Sequence, residues 1–268
     1  MCRDCGCSEA NQRTQGQGHD HDHHHDHDHG EAHSHPAAPL GPWRAPRKAL
    51  HRITLEESVL AKNDRIAAEN RAWFREHGIH AMNLISSPGS GKTLLLEKTA
   101  ERLRALSETP VRLAILTGDQ ERDFDAKRLQ AAGAEVKQLN TASACHLDAE
   151  MIRKELGGFV RPDLTHLVIE NVGNLVCPAA FDLGENEKVA LVSTTEGEDK
   201  PSKYPLLFHE AKLILITKTD LIPHLDWSLE ACERHIRSVN PRAQILKVSA
   251  RTGEGMDAWL DSLMSRRA

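Results

Sequence analysis

Ser86-Ser87-Pro88-Gly89-Ser90-Gly91-Lys92-Thr93 follows the apolar run Ile79 to Ile85 and leads into Leu94-Leu95-Leu96. A buried strand, a Gly-rich loop and a helix in that order form a phosphate-binding loop. Glycines let backbone N–H groups converge on phosphate oxygens, and the helix N-terminus adds its partial positive charge. Pro88, Gly89, Ser90 and Gly91 would make the cradle, Lys92 would reach the β/γ-phosphates, and the Thr93 hydroxyl would ligate magnesium. The first glycine of the usual G-x-x-x-x-G-K-[ST] pattern is Ser86 here, but Gly89 and Gly91 keep the tight approach to phosphate open. The spacing predicts a bound nucleoside triphosphate.

The base is read further along. Leu213-Ile214-Leu215-Ile216 has the pattern of a buried strand, and Thr217-Lys218-Thr219-Asp220 follows it directly. An acid at that strand end accepts two hydrogen bonds from guanine N1–H and the exocyclic amine, while the Lys stem packs over the ring. Adenine lacks that pair of adjacent donors and would leave a buried charge unpaired. A later strand runs into Ser249-Ala250, which suits a loop closing over the base. GTP is the expected nucleotide.

Around these motifs strands and helices alternate. Strand-like runs are Ala81–Ile85, Arg112–Leu116, Glu135–Leu139, His166–Ile169, Val189–Val192, Leu213–Ile216 and Ile245–Val248. Helical stretches lie near Thr93–Leu106, Phe124–Ala132, Leu147–Leu156, Leu229–Val239 and Met256–Met264. Such alternation predicts an α/β fold, a doubly wound and mostly parallel sheet with the ligand outside the carboxyl ends of the strands. Before it, Ile53 to His77 carries Ile53, Val59, Leu60, Ile66, Ala67, Trp73 and Phe74 among charges, a long amphipathic helix able to pack on the domain or on a partner.

Length and composition set the bounds. The 268 residues have room for one globular domain, expected over 49–268, plus an arm over 1–48. A net charge of −5 offers no broad basic face for nucleic acid. No apolar run approaches membrane-spanning length, and the first twenty residues lack the apolar core of a signal peptide. Six cysteines without an export signal point to reduced thiols and to a cytoplasmic location.

The arm is rich in Gly, Pro, Gln, His and Asp and is expected to be disordered without a ligand. Nine histidines (His19, His21, His23, His24, His25, His27, His29, His33 and His35) alternate with Asp20, Asp22, Asp26 and Asp28. Imidazoles suit nickel, copper and zinc, and flexible spacing lets several ions share them. An added purification tag fits less well, since the longest pure run is three. Ahead of it, Cys2, Cys5 and Cys7 place three thiols within six residues, with the chain's amine as a fourth donor once Met1 is removed. Three S and one N can form a square-planar nickel site or a tetrahedral zinc site. A redox pair would instead open a helix beside a strand.

Two further loops complete the expected phosphate chemistry. Glu170-Asn171-Val172-Gly173 follows a strand, so Glu170 can hold magnesium directly or through water, and Gly173 can offer its N–H to the γ-phosphate. After the strand ending at Leu116, Asp119 can join the magnesium shell or orient the attacking water; it can also simply cap the helix beginning near Asp123. A second metal group lies in this region. Cys145-His146 is expected to open the helix from Leu147, where the helix terminus favours thiolate, and Cys177 follows Gly173 by four residues. Two Cys and one His leave a fourth position for water, another side chain or a ligand shared across a dimer. Cys232, at helical spacing with Leu229, Ile236 and Val239, reads as core.

Taken together, Cys2-x-x-Cys5-x-Cys7, the His-rich arm, the Ser86–Thr93 loop, Ala144-Cys145-His146-Leu147, Glu170-Asn171-Val172-Gly173-Asn174-Leu175-Val176-Cys177-Pro178 and Thr217-Lys218-Thr219-Asp220 resemble the hydrogenase nickel-incorporation GTPases, the HypB family. The resemblance covers the whole chain. It implies a cytoplasmic P-loop GTPase of the dimerising class with slow intrinsic turnover. Such a protein would help insert nickel into the [NiFe]-hydrogenase large-subunit precursor alongside a small zinc- and nickel-binding accessory protein. It carries the family's amino-terminal nickel site onto Cys2, Cys5 and Cys7, and its nickel- or zinc-binding site in the GTPase domain onto Cys145, His146 and Cys177. The His-rich arm occurs in only some members. The alternatives are a nickel-storing buffer with a nucleotide-dependent conformation, an ATP-dependent kinase and a urease-type nickel GTPase.

Overall fold

The computed structural model describes residues 47–106, 111–118, 122–139, 141, 145–159 and 163–266. Seven strands form one sheet: β1 (His80–Ile85), β2 (Leu113–Thr117), β3 (Glu135–Gln138), β4 (His166–Glu170), β5 (Glu187–Ser193), β6 (Leu213–Thr217) and β7 (Gln244–Val248). Their order is β3-β2-β4-β1-β5-β6-β7, and every pairing is parallel. β1, β4 and β6 are buried at every position, as mostly apolar strands covered on both faces must be, with the polar His80, Asn83, His166 and Glu170 buried among them.

The helices are α1 (Arg47–Glu76), α2 (Lys92–Ala105), α3 (Arg122–Ala131), α4 (Ala149–Phe159), α5 (Cys177–Ala180), α6 (Lys200–Lys203), α7 (Pro205–Glu210), α8 (Leu229–Val239) and α9 (Met256–Ser265). Alternate residues of each strand face opposite layers. Met82, Leu84, Val189 and Leu191 pack with Leu95, Leu96, Leu129, Trp259 and Leu263 of α2, α3 and α9. On the other face Ala81, Leu116, Leu167 and Ile169 meet Phe74 of α1 and Ile152 and Leu156 of α4. Val192, Ile214 and Ile216 pack there with Phe208, Cys232 and Ile236 of α7 and α8. Cys232 is thus core, and burial pushes its thiol up to about 12.

The first helix differs from its sequence reading. Val59 is exposed, and the buried face from Ser58 onward is Asn63, Ile66, Ala67, Asn70 and Phe74. The two asparagines hold backbone groups of neighbouring segments. Asn63 Nδ2 donates to the Asp182 carbonyl at 2.8 Å, and its oxygen accepts from Ala149 N–H at 2.9 Å. Asn70 Nδ2 reaches the Ala149 and Leu183 carbonyls, both at 2.9 Å. This stretch of the helix therefore belongs to the domain's own packing. Among the described residues no helix is long and apolar enough to cross a membrane.

Candidate functional site

The loop 86–91 joins the carboxyl end of β1 to α2, in the crevice that such sheets reserve for ligands. Ser86, in the place of the first glycine, is fully buried and its hydroxyl accepts from Lys92 Nζ at 2.8 Å. Ser90 Oγ folds back to donate to the Ser87 carbonyl. Thr93 Oγ1 donates to Glu170 Oε1 at 2.9 Å, joining α2 to the end of β4. A hydroxyl and a carboxylate side by side are the hard oxygen donors that magnesium takes in a P-loop site, so Thr93 and Glu170 fit that ion.

The segment 217–220, expected to read the base, is built onto the same loop. Thr217 Oγ1 donates to the Ser90 carbonyl at 2.7 Å, and Lys218 Nζ donates to the Gly89 carbonyl at 2.6 Å. Lys218 sits in the left-handed region at φ 60°, a conformation disfavoured for a side chain, and Thr194 Oγ1 holds its carbonyl at 2.8 Å. Asp220 Oδ1 accepts from Ser249 Oγ at 2.6 Å, which aims the carboxylate. Ser90, Gly91, Leu94, Lys218, Asp220 and Ala250 line a cavity of about 290 Å³ with an apolar floor and a carboxylate at one side. A larger cavity, about 470 Å³, lies at the start of β2 between Leu103, Val111, Ala134 and Leu164. It is at the wrong end of the sheet for a nucleotide, and the smaller cavity is the candidate base site.

Gly173 packs on the phosphate loop itself. A Cβ there would lie 3.0 Å from Pro88 Cα and Cγ, tighter than ordinary contact and partly against backbone. The position therefore favours glycine, since any Cβ would press on Pro88, besides the N–H expected of it.

Four residues on, Cys177 Sγ lies 3.1 Å from Cys145 Sγ, which is 3.6 Å from His146 Nδ1. The three donors lie within 4.8 Å of one another and make a metal-ligating group among the described residues. Metal–S bonds of about 2.3 Å and metal–N bonds of about 2.0–2.1 Å let such a trio meet one zinc-sized ion. Burial lowers the His146 pKa against a weaker opposing pull from Asp148, which favours the neutral, ligating imidazole. The Phe181 ring lies over that imidazole, centroids 3.9 Å apart. Local structure here corrects the sequence reading: α4 starts at Ala149, capped by Asp148 Oδ1 accepting from Met151 N–H at 2.8 Å. Cys145 thus precedes α4 by four residues and does not open it; Cys177, instead, is the first residue of α5.

Asn171 and Asn174, assigned no role from sequence, connect the two sites. Asn171 is fully buried; its Oδ1 accepts from Val172 N–H at 2.9 Å and Leu147 N–H at 3.2 Å, and its Nδ2 donates to Asn83 Oδ1 at 3.1 Å. Asn174 Nδ2 donates to the Cys145 carbonyl at 3.3 Å. Their sequence signal was membership of the Glu170-to-Pro178 stretch that carries the family resemblance, which gave them no role of their own. Asp119, Cys2, Cys5, Cys7 and the nine arm histidines lie outside the described residues.

Comparisons agree with this geometry. The sequence profile of the family described as "CobW/HypB/UreG, nucleotide-binding domain" matches residues 80–247. The hydrogenase maturation factor HypB of Azotobacter vinelandii is 50% identical over 97% of this chain and 90% of its own length. Among solved structures, HypB from Archaeoglobus fulgidus superposes with a TM-score of 0.70 at 41% identity, covering 76% of this chain and 98% of its own. HypB from Helicobacter pylori, solved in complex with nickel, gives 0.68 at 33% identity over 75% and 93% of the two chains. With the loop 86–93, the segment 217–220 and the Cys/His group at the carboxyl ends of one parallel sheet, the chain belongs to the HypB hydrogenase maturation factors of the CobW/HypB/UreG family.

Proposed function

We propose that this protein is a GTP-hydrolysing nickel metallochaperone that serves maturation of the [NiFe]-hydrogenase large subunit. One observation carries the reading: Cys177 stands four residues from Gly173, so the metal-ligating group and the contact on the phosphate loop share one short segment. The names of its relatives and the nickel complex of one of them support the cargo and the destination.

In this reading Asp220, with Ser249 and Ala250, selects guanine. The loop 88–93 and Lys92 hold the phosphates and stabilise charge on the transferring group. Thr93 and Glu170 would hold magnesium, which supplies further charge neutralisation, while Asp119 or Glu170 would orient the attacking water. Cys145, His146 and Cys177 bind nickel or zinc, and the Cys2, Cys5, Cys7 cluster and the arm histidines hold further nickel. A small zinc- and nickel-binding accessory protein, the hydrogenase precursor and a second copy of the chain in the GTP state are the expected partners. The nine arm histidines also favour a second reading, a nickel store whose nucleotide only sets conformation.

Phosphate release from GTP separates the two. The purified chain should hydrolyse GTP, and Lys92→Ala should lower turnover by about 10²-fold or more with secondary structure unchanged by circular dichroism. Equal turnover in the variant would overturn the assignment of Lys92, and no turnover in the wild type, with partners present, would leave the store in front.

A further inference from the structure

The stretch Ser193-Thr194-Thr195-Glu196-Gly197-Glu198-Asp199-Lys200, from the last residue of β5 to the first of α6, has no part in the chemistry above except for the Thr194 bond to the Lys218 carbonyl. β5 is the neighbour of β1 on the side away from β4, so its end reaches the phosphate loop from the face opposite Glu170. There Ser87 Oγ donates to Glu196 Oε2 at 2.7 Å. The Glu196 side chain is only 13% exposed and has Lys200 Nζ 3.5 Å away to balance its charge. Its backbone is fixed as well: Glu196 N–H donates to the Ser193 carbonyl at 2.9 Å, and Trp227 Nε1 donates to the Glu196 carbonyl at 2.9 Å.

We propose that Glu196 is a positioning residue of the nucleotide site, holding the leading turn of the phosphate loop through the Ser87 hydroxyl. Three observations combine in this assignment. Ser87 lies between Ser86, whose hydroxyl meets Lys92 Nζ, and Pro88, against which Gly173 packs, so it belongs to the γ-phosphate end of the loop. A nearly buried carboxylate accepting a hydroxyl hydrogen bond gives a firmer hold than a neutral acceptor would. The third is connectivity. Thr194 and Glu196 lie two residues apart, one holding the carbonyl of the base-reading Lys218 and the other the phosphate loop. Displacement of the loop by nucleotide would therefore be felt at Trp227, through the carbonyl of the same glutamate.

Misplacing a phosphate ligand by a fraction of an ångström costs rate more than ground-state affinity, because the charge it meets grows in the transition state. Glu196→Ala and Ser87→Ala should thus each lower kcat for GTP by about ten-fold, with KM and GDP affinity within about three-fold of wild type. Because both remove one interaction, the double variant should lose about ten-fold, not a hundred-fold. Glu196→Gln, which keeps the acceptor, should stay within about three-fold of wild-type kcat. The Trp227 emission difference between GDP and a non-hydrolysable GTP analogue, isolated by comparison with Trp227→Phe, should shrink in Glu196→Ala and persist in Glu196→Gln. This inference rests on the GTPase reading, which wild-type turnover tests first: no turnover overturns both. With wild-type turnover present, multiplicative losses in the double variant, wild-type kcat in both single variants, or a Gln variant as impaired as Ala would overturn the positioning role alone.

Discussion

Thr217 stands where base-reading motifs more often have Asn, and its hydroxyl makes the tie that the position needs, donating to the Ser90 carbonyl of the phosphate loop at 2.7 Å. That bond ties the segment 217–220 to the loop 86–91, with Asp220 accepting from Ser249 at 2.6 Å. Asp220→Asn replaces an acceptor with a group that can donate, while xanthine presents a carbonyl where guanine presents its amine. The variant should lose GTP affinity by about 1–3 kcal/mol and bind xanthosine nucleotides better than wild type, measured by parallel titration. Unchanged GTP affinity would remove Asp220 from base recognition. The placement of these residues around one loop was legible in the sequence, because each stands at a short fixed spacing after a buried strand. Partners within the protein were not. Gly173 reads from sequence as an N–H donor, and its steric role becomes visible only with Pro88 3.0 Å from where its Cβ would be. Asn171 and Glu196 likewise act on backbone or hydroxyl groups far away in the chain.

At the scale of elements, α1 closes on the turn at Gly184, which has φ +93°. A Cβ there would come within 2.6 Å of the Ala67 carbonyl and of Asn70 Cβ, so Gly184→Ala combines a strained backbone with a collision. Unfolding in urea should show a loss of about 2–4 kcal/mol; a loss below about 0.5 kcal/mol would mean that α1 is only loosely seated. At the amino end of the same strands, Glu187 joins β5 to β1 and to the end of α9, meeting His80 Nε2 at 3.0 Å and the Arg266 guanidinium. Burial alone would raise its pKa, but hydrogen bonds from His80 and Arg266, with the Arg266 charge, outweigh it and hold the carboxyl below the ordinary 4.5. A depressed folded pKa means stability that is complete above the unfolded value and lost as pH falls through the folded one. Denaturation midpoints should therefore fall below about pH 4.5 more steeply in wild type than in Glu187→Gln; identical slopes would contradict the pairing. The five inner strands were legible as mostly apolar runs because both sheet faces are covered there, whereas the edge strands β3 and β7 mix charged with apolar residues and are only partly buried. α5, α6 and α7, four to six residues each, are too short to show a helical period, and the buried asparagines of α1 hid its packing face.

Across the whole molecule, strand order does what no local pattern could reveal. Placing β4 between β1 and β2 brings Glu170 beside Thr93 and carries the segment 171–177 from the phosphate loop to Cys145 and His146. Parallel crossovers leave no mark of their order in a sequence, so the nearness of the two sites had to be inferred from seven residues of chain. In the structure it has a continuous path: Gly173 on Pro88, Asn171 on Leu147, Asn174 on Cys145, Cys177 on Cys145. A segment pulled toward a γ-phosphate must change the spacing of Cys177 from its two partners, and reciprocity then requires metal to change nucleotide affinity by the same factor. The most direct measurement is a nickel and zinc competition titration on a chain lacking residues 1–46, which removes the arm residues proposed as ligands and keeps every described element. Loaded with GDP or with a non-hydrolysable GTP analogue, it should show metal affinities differing by about 5–150-fold, with the difference abolished in Cys177→Ala. Equal affinities in the two nucleotide states would contradict nucleotide-controlled metal release.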